Sequence, residues 1–355
     1  DLLSERNLYL PSFGILFLLA ATIYRLVLSN PNLSLIKKIG AYSLIIVFTL
    51  QAVLLYKRNL IYKSNILLWE DTLKKSPGKL RALHNLSHFY LAENNQVKAF
   101  IALRTLANSK ASPHYRSYAH SNLGTIYLQL RDYPKAENEF KSGIRVKPSL
   151  PSNHFNLGSL LASQGRNLEA KKSYDKAEDL YKKYKWGYET PSELYINKAR
   201  VLLKLGLYEE AENSINDYLN RVPTSGSGHF VLAKIFSAKG KLEQALHEYS
   251  HVVNFPHDFW RILKTGSEPK LKAEAHNNRA LIFIKKKLFD QALKELNLAI
   301  TVSPDLVDAH YNLGSLLIQI NGDSIKARRH LEKALQLTTS QEGADRIKSA
   351  LKALP

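Results

Sequence analysis

The sequence predicts an all-α protein in two parts: a pair of membrane-crossing helices, then an α-solenoid of helix pairs. Three observations carry this reading. Two stretches near the start, residues 7–24 and 39–56, hold no charged residue. Beyond residue 80 one pattern of small and apolar positions returns seven times. The closing stretch 341–354 places Ile347, Ala350, Leu351 and Leu354 at helical spacing, with charges elsewhere.

Eighteen helical residues span about 27 Å, close to the hydrocarbon thickness of a bilayer. Transmembrane helices are therefore expected over 11–28 and 39–56, joined by a short loop holding Pro31. The second is bracketed by Lys37 and Lys38 before it and Lys57 and Arg58 after it, with Tyr42 and Tyr56 near its ends. Two spans return the chain to its starting side. Arg25, Lys37 and Lys38 favour a cytoplasmic loop and hence an extracytoplasmic array, while Lys57, Arg58 and Lys63 pull the other way. Residues 1–63 then form the end of a membrane domain. Residues 64–80 form a membrane-proximal helix and half repeat, in which Trp69, Thr72 and Pro77 fit the end of a unit.

Residues 81–340 hold the seven units. Each has a small residue in a first helix, an alanine twelve or thirteen residues on, then an apolar residue four further. The second copy reads Asn122, Leu123, Gly124, Tyr127, Ala136, Phe140, Gly143, Pro148; the last reads Asn312, Leu313, Gly314, Leu317, Ala327, Leu331, Ala334. The small residues are Ser87, Gly124, Gly158, Ala199, Ala233, Ala280 and Gly314, separated by 37, 34, 41, 34, 47 and 34 residues. Small residues let the two helices of a unit approach closely, and the larger ones fill the space between units. A period of 34 with these contents resembles the tetratricopeptide repeat (TPR), two antiparallel helices per unit. The longer steps predict insertions near 182–192 and 256–272, the second containing Phe259 and Trp260. Residues 341–355 supply the polar capping helix that such an array needs.

Composition narrows the function. No cysteine is present, which excludes disulfides, zinc-thiolate sites and cysteine nucleophiles. No methionine is present either, which predicts a piece of a longer protein. The net charge is +19, of which residues 1–63 contribute +5 from seven basic and two acidic residues. Such an excess attracts acidic proteins or anionic lipid. Nucleic acid is not expected as a partner, because no binding motif for it appears. Lysine runs such as Lys171-Lys172 and Lys182-Lys183 read as a solvated face.

The candidate site is a column of asparagines. Asn85, Asn122, Asn156, Asn197, Asn278 and Asn312 each stand two residues before the small residue of a first helix; Val231 takes that place in the fifth unit. First helices line the concave face of a TPR array. A carboxamide offers both an acceptor and donors, so it can bond the main chain of an extended peptide whatever its side chains. His84 with His88, and His247 with His251, have the four-residue spacing of metal ligands on a helix. No third ligand is evident in sequence, so no metal is expected. Asn-Leu-Ser at Asn32 and Asn85 matches a glycosylation acceptor.

The string Ser4-Glu5-Arg6-Asn7-Leu8-Tyr9-Leu10-Pro11-Ser12-Phe13-Gly14 resembles a segment of the transmembrane-and-TPR protein O-mannosyltransferases and their bacterial relatives. The order string, two spans, Trp-bearing helix and repeats matches that family in layout. The resemblance implies a glycosyltransferase using a polyprenyl-phosphate sugar donor, in the bacterial inner membrane or endoplasmic reticulum, with the array extracytoplasmic. It implies that this chain holds none of the catalytic residues and no cofactor of its own, and that the array recruits an unfolded acceptor polypeptide. Glu5 and Arg6 would support a membrane loop. The alternative is a non-enzymatic, membrane-tethered scaffold for complex assembly.

Overall fold

The computed structural model describes residues 14–25, 34–184, 190–254 and 268–354, and every regular element among them is helical. Two apolar helices come first, α1 (Gly14–Ile23) and α2 (Leu35–Ile61). At 27 residues α2 is about 40 Å long. Among the described residues it is the one helix long and apolar enough to cross a bilayer. It outruns the expected 39–56 at both ends because Lys37, Lys38, Lys57 and Arg58 continue the helix rather than break it. Long basic side chains do this readily, since their apolar stems lie along the helix while the charges reach water. α1 falls inside the expected first span but is shorter than a bilayer, and residues 11–13 and 26–28 of that span lie outside the described residues. Thus one helix of crossing length is seen where two were expected. Glu5, Arg6, Asn32, Phe259 and Trp260 also lie outside, as do parts of both predicted insertions.

α3 (Asn65–Lys75) follows after a short turn, with Ser64 capping its first turn through the Leu67 N–H. Arg58 near the end of α2 donates to Asp71 of α3, which also accepts from Lys75. Trp69 packs against the apolar cluster of the first repeat, which includes Leu83, Leu86 and Leu103.

Seven helix pairs then succeed one another. They are α4 (Leu80–Ala92) with α5 (Gln96–Ala107), α6 (Pro113–Gln129) with α7 (Tyr133–Val146), and α8 (Pro151–Ser163) with α9 (Asn167–Tyr184). Next come α10 (Ser192–Lys204) with α11 (Tyr208–Leu219), and α12 (Gly226–Ala238) with α13 (Leu242–Val253). The last are α14 (Glu268–Lys285) with α15 (Phe289–Val302), and α16 (Val307–Gln319) with α17 (Ser324–Leu337). α18 (Gln341–Lys352) closes the chain with Ile347 buried against Leu331 and Ala334. The chain divides into two compact units, 1–156 and 157–355.

Close helix approach has the predicted cause. The second-helix alanines Ala99, Ala136, Ala170, Ala211, Ala245, Ala292 and Ala327 are all fully buried. A Cβ added to Gly124 would stand 2.5 Å from the Phe140 ring, one on Gly158 2.8 Å from Tyr174, and one on Gly314 2.7 Å from Leu331. The turn inside every pair is also uniform. The residue seven beyond the small one has positive φ in all seven units: Asn94, Arg131, Gly165, Gly206, Gly240, Lys287 and Asn321. This conformation costs a non-glycine residue about 1–2 kcal/mol, asparagine less. Arg131→Gly and Lys287→Gly are each expected to raise stability by about 0.5–1 kcal/mol, because relief of strain exceeds the added entropy of the unfolded chain; a higher urea midpoint is the measurement.

Candidate functional site

All six column asparagines sit on the first helices of their pairs, half-buried. In the first unit, Asn156 Nδ2 donates to Ser121 Oγ of the preceding repeat at 3.0 Å, and Asn122 Nδ2 donates to the Tyr118 carbonyl of its own helix at 3.0 Å. Asn85 Oδ1 lies 3.2 Å from His84 Nδ1. In the second unit, Asn312 Nδ2 donates to Asn277 Oδ1 at 2.8 Å, again across one repeat, and Asn197 Oδ1 accepts from Arg200 at 3.5 Å. Asn278 is bonded to the Tyr249 hydroxyl. Each carboxamide therefore spends part of its hydrogen-bonding capacity inside the array. Among the described residues the Oδ1 atoms of Asn156 and Asn312 accept from no protein group.

Two cavities in the second unit occupy equivalent places, one between the third and fourth repeats and the other between the fifth and sixth. One is bounded by Tyr174, Asn197, Arg200 and Lys204, the other by Tyr249, Asn278, Lys234 and Lys285. Burial pushes the Tyr249 hydroxyl up to about 12 against the opposing hydrogen bonds of Ser237 and Asn278, so it stays a neutral donor at physiological pH. Tyr174 is raised for the same reason, burial. Neither cavity is lined by a carboxylate, so no negative charge opposes an anionic or main-chain carbonyl group there.

A second recurring arrangement was not anticipated from sequence. Four residues before the small residue stand His120, His154, His229, His276 and His310. Three of these place Nδ1 on a glutamate of the second helix, at 2.7 Å for His120–Glu139, 2.6 Å for His229–Glu248 and 2.7 Å for His276–Glu295. In three, Nε2 meets the carbonyl of the proline closing the previous unit: Pro148, Pro223 and Pro304. His229 makes both contacts and so pins the two helices of its unit to each other and to the incoming turn; the other four make one or the other. The Glu248 carboxylate lifts His229 above the ordinary imidazole range; burial opposes this and the Pro223 carbonyl adds to it. The legible signal was a histidine nineteen residues before a glutamate, repeated three times. The His84 ring, by contrast, packs between Tyr115 and Tyr118, its pKa lowered by burial.

Paired helices with buried small residues at every crossing define a solenoid of tetratricopeptide repeats. Family models for the tetratricopeptide repeat match residues 121–185, 192–221 and 273–306. The chain is homologous, at low identity, to protein O-mannosyl-transferases. It is 26% identical over 218 residues to Protein O-mannosyl-transferase TMTC1 of Homo sapiens, covering 61% of this chain and 22% of that protein. It is 23% identical over 378 residues to Protein O-mannosyl-transferase TMTC3 of Homo sapiens, covering 99% of this chain and 38% of that protein. A tetratricopeptide repeat protein from Parabacteroides merdae superposes with a TM-score of 0.55 at 15% identity, over 78% of this chain and 98% of that one, which shows the shared fold. The chain spans well under half the length of these mannosyl-transferases.

Proposed function

We propose that this chain is the acceptor-binding part of a membrane-anchored protein O-glycosyltransferase that uses a polyprenyl-phosphate sugar donor. α2 anchors it in the bilayer, and the array lies on the extracytoplasmic side, as the homology to the mannosyl-transferases supports. The carrying observation is the column of recessed asparagines, flanked in the second unit by two equivalent basic cavities. An extended polypeptide laid along the first helices gives its N–H groups to the Oδ1 atoms and its carbonyls to the remaining Nδ2 hydrogens. Arg200, Lys204, Lys234 and Lys285 favour segments that carry acidic side chains. This grip reads main chain and charge rather than a fixed sequence, which suits an enzyme that must accept many unfolded segments. No catalytic residue is assigned to this chain.

The test is the combined substitution of Asn122, Asn156 and Asn197 by alanine. With about 1 kcal/mol from each bond, binding of an extended acidic peptide is expected to weaken on the order of 100-fold. Glycosylation of the acceptor by the full-length protein is expected to fall with it. Circular dichroism separates this from unfolding, since Asn156 also bonds within the array. Wild-type peptide affinity and wild-type glycosylation in the triple variant would remove the proposal.

A further inference from the structure

We propose that His247, Glu248 and His251 of α13 form a binding site for a borderline divalent transition metal such as Zn2+, with His229 of α12 holding the carboxylate from behind. The string His247-Glu248-Tyr249-Ser250-His251 puts two imidazoles one turn apart on a single helix, in the order H-E-x-x-H. The group absent from the linear reading comes from the neighbouring helix and from the residue between the imidazoles. Ligand atoms of His229, Glu248 and His251 all lie within 4.8 Å of one another. The rings of His247 and His251 are 4.8 Å apart, and that of His229 stacks on His251 at 4.6 Å.

Comparison with the other repeats separates scaffold from site. Glu139 and Glu295 each give one oxygen to the repeat histidine and the other to an arginine, Arg104 and Arg279 respectively. In the fifth repeat Glu248 Oε2 takes His229 in the same way, but among the described residues no arginine meets Oε1. Instead His247 Nδ1 stands 3.4 Å from it, too far for a good hydrogen bond. Two donors on one tetrahedral Zn2+, with bonds near 2.0–2.1 Å, stand about 3.4 Å apart. A metal at that point replaces the missing arginine as the positive partner of a mostly buried carboxylate. His229, with Nε2 on the Pro223 carbonyl and Nδ1 on Oε2, then orients the ligating group, as a carboxylate's outer partner does in established sites. Nitrogen and oxygen donors without thiolate select Zn2+, Co2+, Ni2+ or Cu2+ over Mg2+ or Ca2+. Because Glu248 is committed to His229 as its counterparts are in other repeats, no hydrolytic step is assigned to it.

The full chain, purified in detergent without a histidine tag and stripped with chelator, is titrated with Co2+ and then Zn2+. Expected are one Co2+ per chain, the visible absorption of four-coordinate Co2+, and its loss on adding Zn2+. His247→Ala and His251→Ala should each weaken binding more than about 10-fold, and His229→Asn by about 10-fold, the loss typical of an outer partner. His88→Ala, in the other four-spaced histidine pair, should leave binding unchanged. His247 and His251 are exposed, so unfolding does not confuse the result. Absence of saturable Co2+ binding, or binding that survives the His247→Ala/His251→Ala double change, overturns the proposal.

Discussion

Phe140→Ala is expected to cost about 3–5 kcal/mol, the range for emptying a fully buried aromatic position. Phe140 has no exposed surface, and its ring fills the space that Gly124 leaves on the facing helix. The facing helix at Gly124 has only backbone there, so it offers no side chain to fill the gap. Gly124→Val probes the same contact from the opposite direction. Its branched side chain would press into a ring already 2.5 Å from the Cβ position, and overpacking of this kind costs about 1–3 kcal/mol. Urea unfolding followed by circular dichroism measures both. Because each repeat leans on its neighbours, the loss should appear as early melting of the first unit rather than a uniform shift. If Phe140→Ala lowers stability by less than about 1 kcal/mol, the small-residue contact is not what holds the pair together.

Lys198→Met is expected to cost about 2–3 kcal/mol near neutral pH. Lys198 on α10 bonds Asp175 at 2.5 Å and Glu178 at 2.7 Å, both on α9 of the preceding repeat. Lys198 and Glu178 are largely withdrawn from water and Asp175 is partly exposed, so methionine would leave two carboxylates facing each other with less compensation. Burial alone would raise Glu178, but hydrogen bonds from Lys182 and Lys198 and their charges hold it below its ordinary value. Asp175 is likewise depressed, by Lys198 and Lys171 against burial. A depressed carboxyl contributes stability that is complete above its unfolded pKa of about 4 and is lost as pH falls through the lower folded value. The gap between wild type and Lys198→Met should therefore be widest from about pH 5 to 8 and close below about pH 4. Burial tends to lower Lys198, yet its bonds to Asp175 and Glu178 raise it, so the ammonium stays charged across that window. Denaturation at pH 7 and pH 3.5 is the measurement; a gap that does not narrow at the acid end contradicts the assignment.

The lysine runs show how far a one-dimensional reading extends. Lys171 and Lys182 looked like a solvated face, yet Lys171 bridges Asp175 and Glu210, and Lys182 binds Glu178. Their partners lie one turn away or in the next repeat, so charge runs alone did not reveal them. The asparagine column was visible because its period matched that of the small residues. How much of each carboxamide is available was not visible, because Asn156 and Asn312 bond residues thirty-five positions earlier.

The sequence by itself determined the helical class, the repeat pattern, the buried small and alanine positions and the apolar character of α2. All of these follow from local periodicity and side-chain size, which repeat along the chain and need no knowledge of distant partners. Tertiary structure alone decided the histidine–glutamate clamps, the Lys198 bridge and the meeting of His229 with His247, Glu248 and His251. These depend on which residues stacking brings within 3–5 Å: the nineteen-residue histidine–glutamate spacing recurs, but a spacing does not say that side chains on different helices meet.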